Sequence, residues 1–432
     1  MLLASAIIGA IVSSALPASA RPVINNNPYA GAIGYVDPGK LPPSSRSSIN
    51  ATDPTHHKAT CRSSTLHSHP PFHAEYVASI NTSIQIDPSI TAQAQVVQTV
   101  STAIWIDTMA RLPLVASNLQ AAAQIATAAN PVVIQFVVYD LPGRDCHALA
   151  SNGEIPVGGI NTYKADYIDV FAASIKANIS PNVRVVLIIE PDSLPNIATN
   201  LATPACAASQ EGYYEGVSYA LSQLSLPGVW MYIDIGHSGW LGWPDNQQAI
   251  VPVLQQAING AISINPNTAV TGFATNTANV DPFYGGGLPP AHQFPLVNGC
   301  YDYNCCLDEN MYTTAMAGVF GENNLPTRFI TDTGRAGQAD IRQIWGSWCN
   351  VKGAGIGARP QANPAPQMDA WVWIKPPGAS DGASGPVGAP GVDGFCVPSN
   401  PNGIDAMSGA PHAGLWFHEL FVSLVQNANP PL

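Results

Sequence analysis

The segment VRVVLIIEPDSL, residues 183–194, is an unbroken aliphatic run that stops on Glu190, Pro191 and Asp192. A strand that is apolar on both faces needs cover on both faces, which a parallel sheet layered with helices supplies. The carboxyl ends of such strands are where α/β barrels gather their polar chemistry. Five more runs follow the same plan: PVVIQFVVYD (131–140), VWMYIDIGH (229–237), AVTGFATNTAN (269–279), TRFITDTGR (327–335) and DAWVWIKPP (369–377). Between them, helical patterns are expected over 93–128 (broken by Pro113, with Trp105 and Asp107 on its first part), 164–177, 207–224, 245–262, 308–319, 337–345 and 412–427. Strand alternating with helix predicts an α/β chain, and a closed or nearly closed parallel β/α barrel in particular. A dinucleotide fold is disfavoured, because no glycine-rich phosphate loop opens any helix.

The 432 residues are 46 % hydrophobic and only 10 % charged, enough for one large core, so a single catalytic domain over 93–432 is expected. Residues 21–92 read as an N-terminal extension of loop or linker rich in Ser, Pro, Thr and His, although NPYAG at 27–31 could begin the domain. His56, His57, His67, His69 and His73 near Cys61 fit no defined metal spacing. The net charge is −12 with no basic stripe, which argues against nucleic acid or an anionic membrane as partner and favours a neutral polar substrate.

Residues 1–20 read as a signal peptide cleaved after Ala18-Ser19-Ala20, despite the lack of Lys or Arg before the apolar stretch. A membrane anchor is the competing reading, weakened by the Ser, Gly and Pro that interrupt a short segment. Sequons at Asn50, Asn81 and Asn178 agree with export. Eight cysteines without a CxxC pair favour disulfides over zinc thiolates. Spacing leaves their connectivity open, and adjacent Cys305 and Cys306 are expected to take separate partners.

In a parallel barrel the strand ends share one rim. Tyr139, Asp140, Asp145, Glu190, Asp192, Asp234, His237, Asn276, Asp332, Arg335, Lys375 and Asp381 therefore converge. Two carboxylates can divide acid and base work if one is kept protonated, and Asp145 lying near Asp192 would do that. Taken singly, any one of these could be a buried carboxylate satisfied by Arg335, Lys375 or main-chain amides; as a set they read as a site. One rim histidine and no HExxH speak against metal catalysis, and Ser151 and Ser193 lack the G-x-S-x-G turn of a serine nucleophile. No metal or cofactor is expected. Trp105, Trp240, Trp243, Trp348, Trp371 and Trp373 flank the rim, and indole faces can stack on sugar rings. Trp240 and Trp243, in the small-residue loop GHSGWLGWP, are the ones most easily exposed.

VVYDLPGRDCHALASNGE (137–154), IIEPDSLPN (188–196), MYIDIGHSGWLGWP (231–244), ATNTAN (274–279), ITDTGRAG (330–337), WGSWCN (345–350) and WVWIKPPGASDG (371–382) resemble, in order, the motifs of glycoside hydrolase family 6, the inverting cellulases. The resemblance implies a distorted seven-stranded β/α barrel holding a β-1,4-glucan in a tunnel or cleft across its rim. It makes Asp192 the general acid and Asp145 the second aspartate that keeps it protonated. Tyr139 becomes the residue that distorts the sugar, and Ser151 the loop serine that holds the hydrolytic water. Asp381 matches the proposed base, a role that its bonding to Arg335 and Lys375 could pre-empt. Inversion leaves room for water between two carboxyls roughly 6.5–9.5 Å apart.

Trp105, Trp240 and Trp348 match sugar-stacking positions. Asp107, Asp234, His237, Asn276 and Lys375 match polar contacts, with Trp243 and Arg335 also assigned to the substrate. Cys146–Cys206 and Cys349–Cys396 are the implied bridges. The 21-residue step from Lys375 to Cys396 is long, as in exo-acting members. The implied protein is a secreted, monomeric cellobiohydrolase acting on cellulose and cello-oligosaccharides from the non-reducing end. An endoglucanase, or a catalytically impaired glucan-binding protein, is the alternative. Ala379 and Pro377 stand where the family commonly has Glu and Gly, which puts product pattern in question.

Overall fold

The computed structural model describes residues 26–36, 72–283, 304–344 and 346–432. Among the described residues, nine strands form one sheet: β1 (Ile33–Gly34), β2 (Ile104–Ile106), β3 (Val132–Val138), β4 (Val183–Ile189), β5 (Val229–Asp234), β6 (Gly272–Thr275), β7 (Phe329–Asp332), β8 (Gln361–Ala362) and β9 (Met368–Val372). Its order is β1-β3-β4-β5-β6-β7-β9-β8, with β2 beside the upper half of β3; every pairing is parallel except β8 with β9. The two edges curl toward each other until the Ala103 amide donates to the Trp373 carbonyl at 2.9 Å. The parallel strands β2 to β7 and β9 thus make the distorted seven-stranded barrel that the alternating pattern predicts.

Burial on both faces explains the continuous aliphatic runs. Val137, Val186, Ile188, Tyr232, Ala274, Ile330 and Val372 fill the barrel, while Phe136, Leu187, Ile189, Met231 and Phe273 pack outward under the helices. Those helices include Pro113–Ile125, Asp169–Asn178, Pro204–Leu224, Pro244–Ile264, Glu309–Glu322 and His418–Gln426. Among the described residues, no helix is long and apolar enough to cross a membrane.

Three local expectations are corrected. Residues 93–128 are not one broken helix: Ile104, Trp105 and Ile106 are strand β2, as β-branched and aromatic residues favour, and Pro113 starts the next helix at its N-terminal turn. No helix forms over 337–344; the main-chain amides of Gln343 and Ile344 donate instead to the Asp405 carboxylate, a tertiary capture that overrides local propensity. Residues 72–90, read as loop, form the Phe72–Ile86 helix and a 3-10 turn, and Tyr76, Ile80 and Ile90 enter a core with Phe417, Phe421 and Leu424. The NPYAG segment seals the lower end of the barrel. There Tyr29 Oη donates to Gln135 Oε1 at 3.0 Å, and Arg184 reaches the Pro28 carbonyl at 2.7 Å.

The bridges Cys146–Cys206 and Cys349–Cys396 are formed. Cys305 and Cys306 are not bonded to each other; their sulfurs lie 3.4 Å apart. The signal-peptide segment, the histidine-rich stretch through His69, Asn50, Cys61 and Cys300 lie outside the described residues. Asn81 is exposed on its helix, whereas Asn178 is half-buried with its amide donating to Ser174.

Candidate active site

The strands deliver their polar ends to one rim by leaving the sheet abruptly. Glu190, Asp192 and Asn276 have positive φ (47°, 64° and 59°), as does Asp145 (59°). Left-handed backbone at a non-glycine residue costs on the order of 1 kcal/mol or more and persists only where surroundings hold it. Hydrogen bonds across the rim do so: Glu190 accepts from the Tyr163 hydroxyl at 2.7 Å and the Asp140 amide at 3.2 Å, stitching β3 to β4. Asp332 likewise accepts from the amides of Ala278, Gly334 and Lys375, each at 3.0 Å, and ties the ends of β6, β7 and β9 together.

Asp192 is partly exposed, and its amide donates to Asp234 Oδ1 at 3.1 Å. Burial, then the carboxylates of Asp234 and Asp145, push the Asp192 pKa well above the ordinary carboxyl range, against a smaller pull from Lys375. Burial raises Asp145 to about 6, although the Ser151 amide, 3.0 Å from its Oδ2, favours the anion. Asp234, buried and accepting also from the Gly236 amide, is raised by burial to about 6. The phenol of Tyr139 feels burial first, then Asp145 and also Asp192. These side chains share one electrostatic neighbourhood.

Asp381 lies in the opposite environment. Its two oxygens receive Arg335 Nη1 at 2.8 Å each, Lys375 Nζ at 2.5 Å and the Asn350 amide at 2.8 Å. Burial alone would raise its pKa, but Arg335 and Lys375 outweigh it and hold the carboxylate ionised below the usual range. Gly378, at φ +101°, lets the chain turn under Trp416, whose ring atoms would meet a Cβ there at 2.5 Å. Ala379 bridges Trp416 in an antiparallel pair within that turn.

Aromatic positions ring this centre. Trp105 packs edge-on to Tyr139 with centroids 5.4 Å apart and donates its indole N–H to the Ile374 carbonyl at 3.0 Å. Trp240 donates to the Thr199 hydroxyl at 2.9 Å and meets the His237 ring edge-on. Trp348 leans on Phe395 beside the Cys349–Cys396 bridge. All three, with Trp243 and Ser151, are half-buried, while Asp107 pairs with Arg111 at 3.3 Å. Trp373 is fully buried and is core.

Some expected sugar contacts are otherwise engaged. Asn276 is fully buried, and its amide nitrogen donates to the carbonyls of Asp281 and Asp332 at 2.8 and 2.9 Å, which braces the rim. Arg335 is 2 % exposed and gives Nη1 to Asp381, leaving its Nε and Nη2 without a partner among the described residues, and Asp234 accepts from the Asp192 amide through Oδ1 while its Oδ2 has none there.

Sequence alone did not reveal what lies behind His237. Its Nδ1 is 2.6 Å from Asp281 Oδ2, and Asp281 also binds Arg342; against burial, Arg342 and His237 hold that carboxylate far below its ordinary pKa. Glu309, raised by burial to about 8, accepts from the Ser238 amide at 2.6 Å. His237, Asp281 and Glu309 bring possible ligand atoms within 4.8 Å of one another, but the cation already seated on Asp281 is Arg342. Only the segment's position after ATNTAN could have hinted at this cluster.

The chain matches the family model for glycosyl hydrolases family 6 over residues 61–428. Exoglucanase 3 of Agaricus bisporus is 43 % identical over 365 residues, spanning 84 % of this chain and 77 % of that protein. The catalytic core domain of the cellobiohydrolase Cel6A from Chaetomium thermophilum superposes with a TM-score of 0.76 at 35 % identity, over 94 % of this chain and 100 % of that one. Cellobiohydrolase II (Cel6A) from Humicola insolens, solved in complex with glucose and cellotetraose, gives 0.73 at 38 % identity, over 83 % and 96 %.

Proposed function

Because the chain belongs to glycosyl hydrolase family 6, we propose that it hydrolyses the β-1,4-glucosidic bonds of cellulose with inversion, releasing cellobiose from chain ends. The observation that carries this is Asp192: a partly exposed residue at the mouth of the barrel, its amide held by Asp234 and its carboxyl pKa pushed well above the ordinary range by burial, Asp234 and Asp145. Such a group donates its proton to the glycosidic oxygen as the bond breaks. Water then attacks the anomeric carbon from the opposite face and must lose a proton.

Asp381 is a poor acceptor for that proton, since its charge is already shared between Arg335 and Lys375. Asp145, at about 6, has the basicity, and the Ser151 amide orients its Oδ2. In this mechanism Asp381 anchors Lys375 and Arg335 while Asp145 receives the proton through water. Tyr139 shapes the cleavage subsite, Trp105, Trp240, Trp243 and Trp348 stack on glucosyl rings, and His237, Lys375 and Asp107 contact hydroxyls.

The Cys349–Cys396 bridge closes the long Lys375–Cys396 excursion, which favours a roofed, exo-acting site over an open endo-acting one. Export, glycosylation at Asn50, Asn81 or Asn178 and a monomeric state belong to the same proposal. The test is action on carboxymethylcellulose and amorphous cellulose. Cellobiose as the dominant soluble product with little loss of viscosity is expected; rapid viscosity loss with mixed oligosaccharides would make it an endoglucanase.

A further inference from the structure

Beside the catalytic carboxyls lies a buried cation that takes no part in the proton transfers. Arg144 is 8 % exposed, and its guanidinium spans three separate pieces of the rim. Nη1 donates to the carbonyls of Tyr139 at 2.5 Å and Asp107 at 2.7 Å, which fixes it to the ends of β3 and β2. Nε donates to the Ser151 carbonyl at 2.9 Å, and Nη2 lies 3.5 Å from that of Asn152. The plane sits 4.3 Å from the centre of the Tyr139 ring, and Asp140 Oδ1 is 3.5 Å from Nη1.

The segment it grips has no regular structure: residues 145–152 are turns and bends. Asn152 returns the grip by donating to the carbonyls of Arg144 and Asp145 at 3.4 and 3.2 Å. Gly153 lets the chain pass this close, since a Cβ there would stand 3.2 Å from Arg144 Cβ and 3.3 Å from its Nε. A buried cation aimed mainly at carbonyl oxygens fixes geometry: five N–H donors in a rigid fork can bridge several acceptors that a lysine ammonium cannot reach together.

We propose that Arg144 is a positioning residue, which clamps the 145–152 loop so that the Ser151 amide stays on the Asp145 carboxylate while Tyr139 stays beside it. This rests on the reading of Asp145 and Ser151 as parts of the catalytic centre. Displacement of a reacting group by about 1 Å costs on the order of 100-fold in rate. Loss of the clamp should therefore appear in kcat more than in KM.

The experiment is steady-state hydrolysis of cellotetraose by the full chain and by Arg144→Lys, Arg144→Ala, Asp145→Asn and Arg144→Lys/Asp145→Asn, with a melting temperature for each. Arg144→Lys keeps the charge but not the fork, and its kcat should fall about 10-fold or more with KM within about threefold. Guanidinium at millimolar concentration should restore part of the kcat of Arg144→Ala without changing its melting temperature. The double variant should be no slower than the slower single one, as for residues acting as a unit. Wild-type kcat in Arg144→Lys, strictly additive losses, or losses that track melting temperature without rescue would overturn the proposal. If Asp145→Asn keeps full kcat, the reading of the site fails instead.

Discussion

The backbone N–H of Asp192 donates to Oδ1 of Asp234, so the proposed proton donor and its strongest charged neighbour are held in register by the main chain. A like charge so placed stabilises the protonated form of Asp192. Asp234→Asn keeps the acceptor oxygen and removes the charge, so the Asp192 pKa should drop. Activity requires protonated Asp192 and is lost as pH rises through that pKa. The alkaline limb of the kcat profile should therefore move to lower pH by about one unit or more, equivalent to about 1.4 kcal/mol of lost interaction. An unmoved limb would separate Asp234 from the acid.

Asp192→Ala should abolish nearly all turnover of cello-oligosaccharides while cellotetraose still binds within about threefold, because the acid acts chiefly in the transition state. Calorimetric titration alongside product assay reads both. Turnover above a few per cent of wild type would remove Asp192 from the acid role.

Asp381→Asn should unfold more easily as well as slow the enzyme. It leaves Arg335 and Lys375 buried without their anion, and breaking a buried ion pair costs about 3–5 kcal/mol. Urea denaturation is the measurement. Unchanged stability with lost activity would instead favour Asp381 as the base.

Stability should be greatest in the acid range. Burial raises Asp140 to about 8, Glu190 to about 7 and Glu309 to about 8, from ordinary values of 3.8, 4.5 and 4.5. A carboxyl raised in the folded state contributes stability that is fully present below its unfolded pKa and is lost as pH rises through its folded one. Asp281 and Asp381, both depressed, act oppositely, and their contribution fades only as pH falls below about 4. The melting temperature should accordingly be higher at about pH 5 than at about pH 8, and Glu309→Gln should flatten the difference. A higher value at the alkaline end would contradict the assignment of these three groups.

What was legible in the sequence follows from what burial writes there. Strands covered on both faces spell out VVIQFVV and VRVVLII, and the polar residues after them fall on one rim whatever the loops do. Asp192, Asp145 and Tyr139 were readable for that reason. Strand β2 was not, because three residues carry no period, and neither was the Phe72–Ile86 helix, whose apolar positions are diluted by Ser, Thr and Asn. The Asp281–Arg342 pair was invisible because its partners stand 61 residues apart and their meeting depends on the tertiary path. Asn276 belongs on the rim by its place at a strand end, and its ligand contact was implied only by the family resemblance; the same place also suits a strut.

The most direct test of the central claim is proton NMR of cellotetraose hydrolysis, followed from the first turnovers before mutarotation mixes the anomers. Cleavage by direct attack of water opposite an acidic Asp192 yields cellobiose whose new reducing end appears first as the α-anomer. A β-anomer appearing first would mean retention through a covalent intermediate, and Asp192 and Asp145 could then not be the acid and the proton acceptor of a single displacement by water.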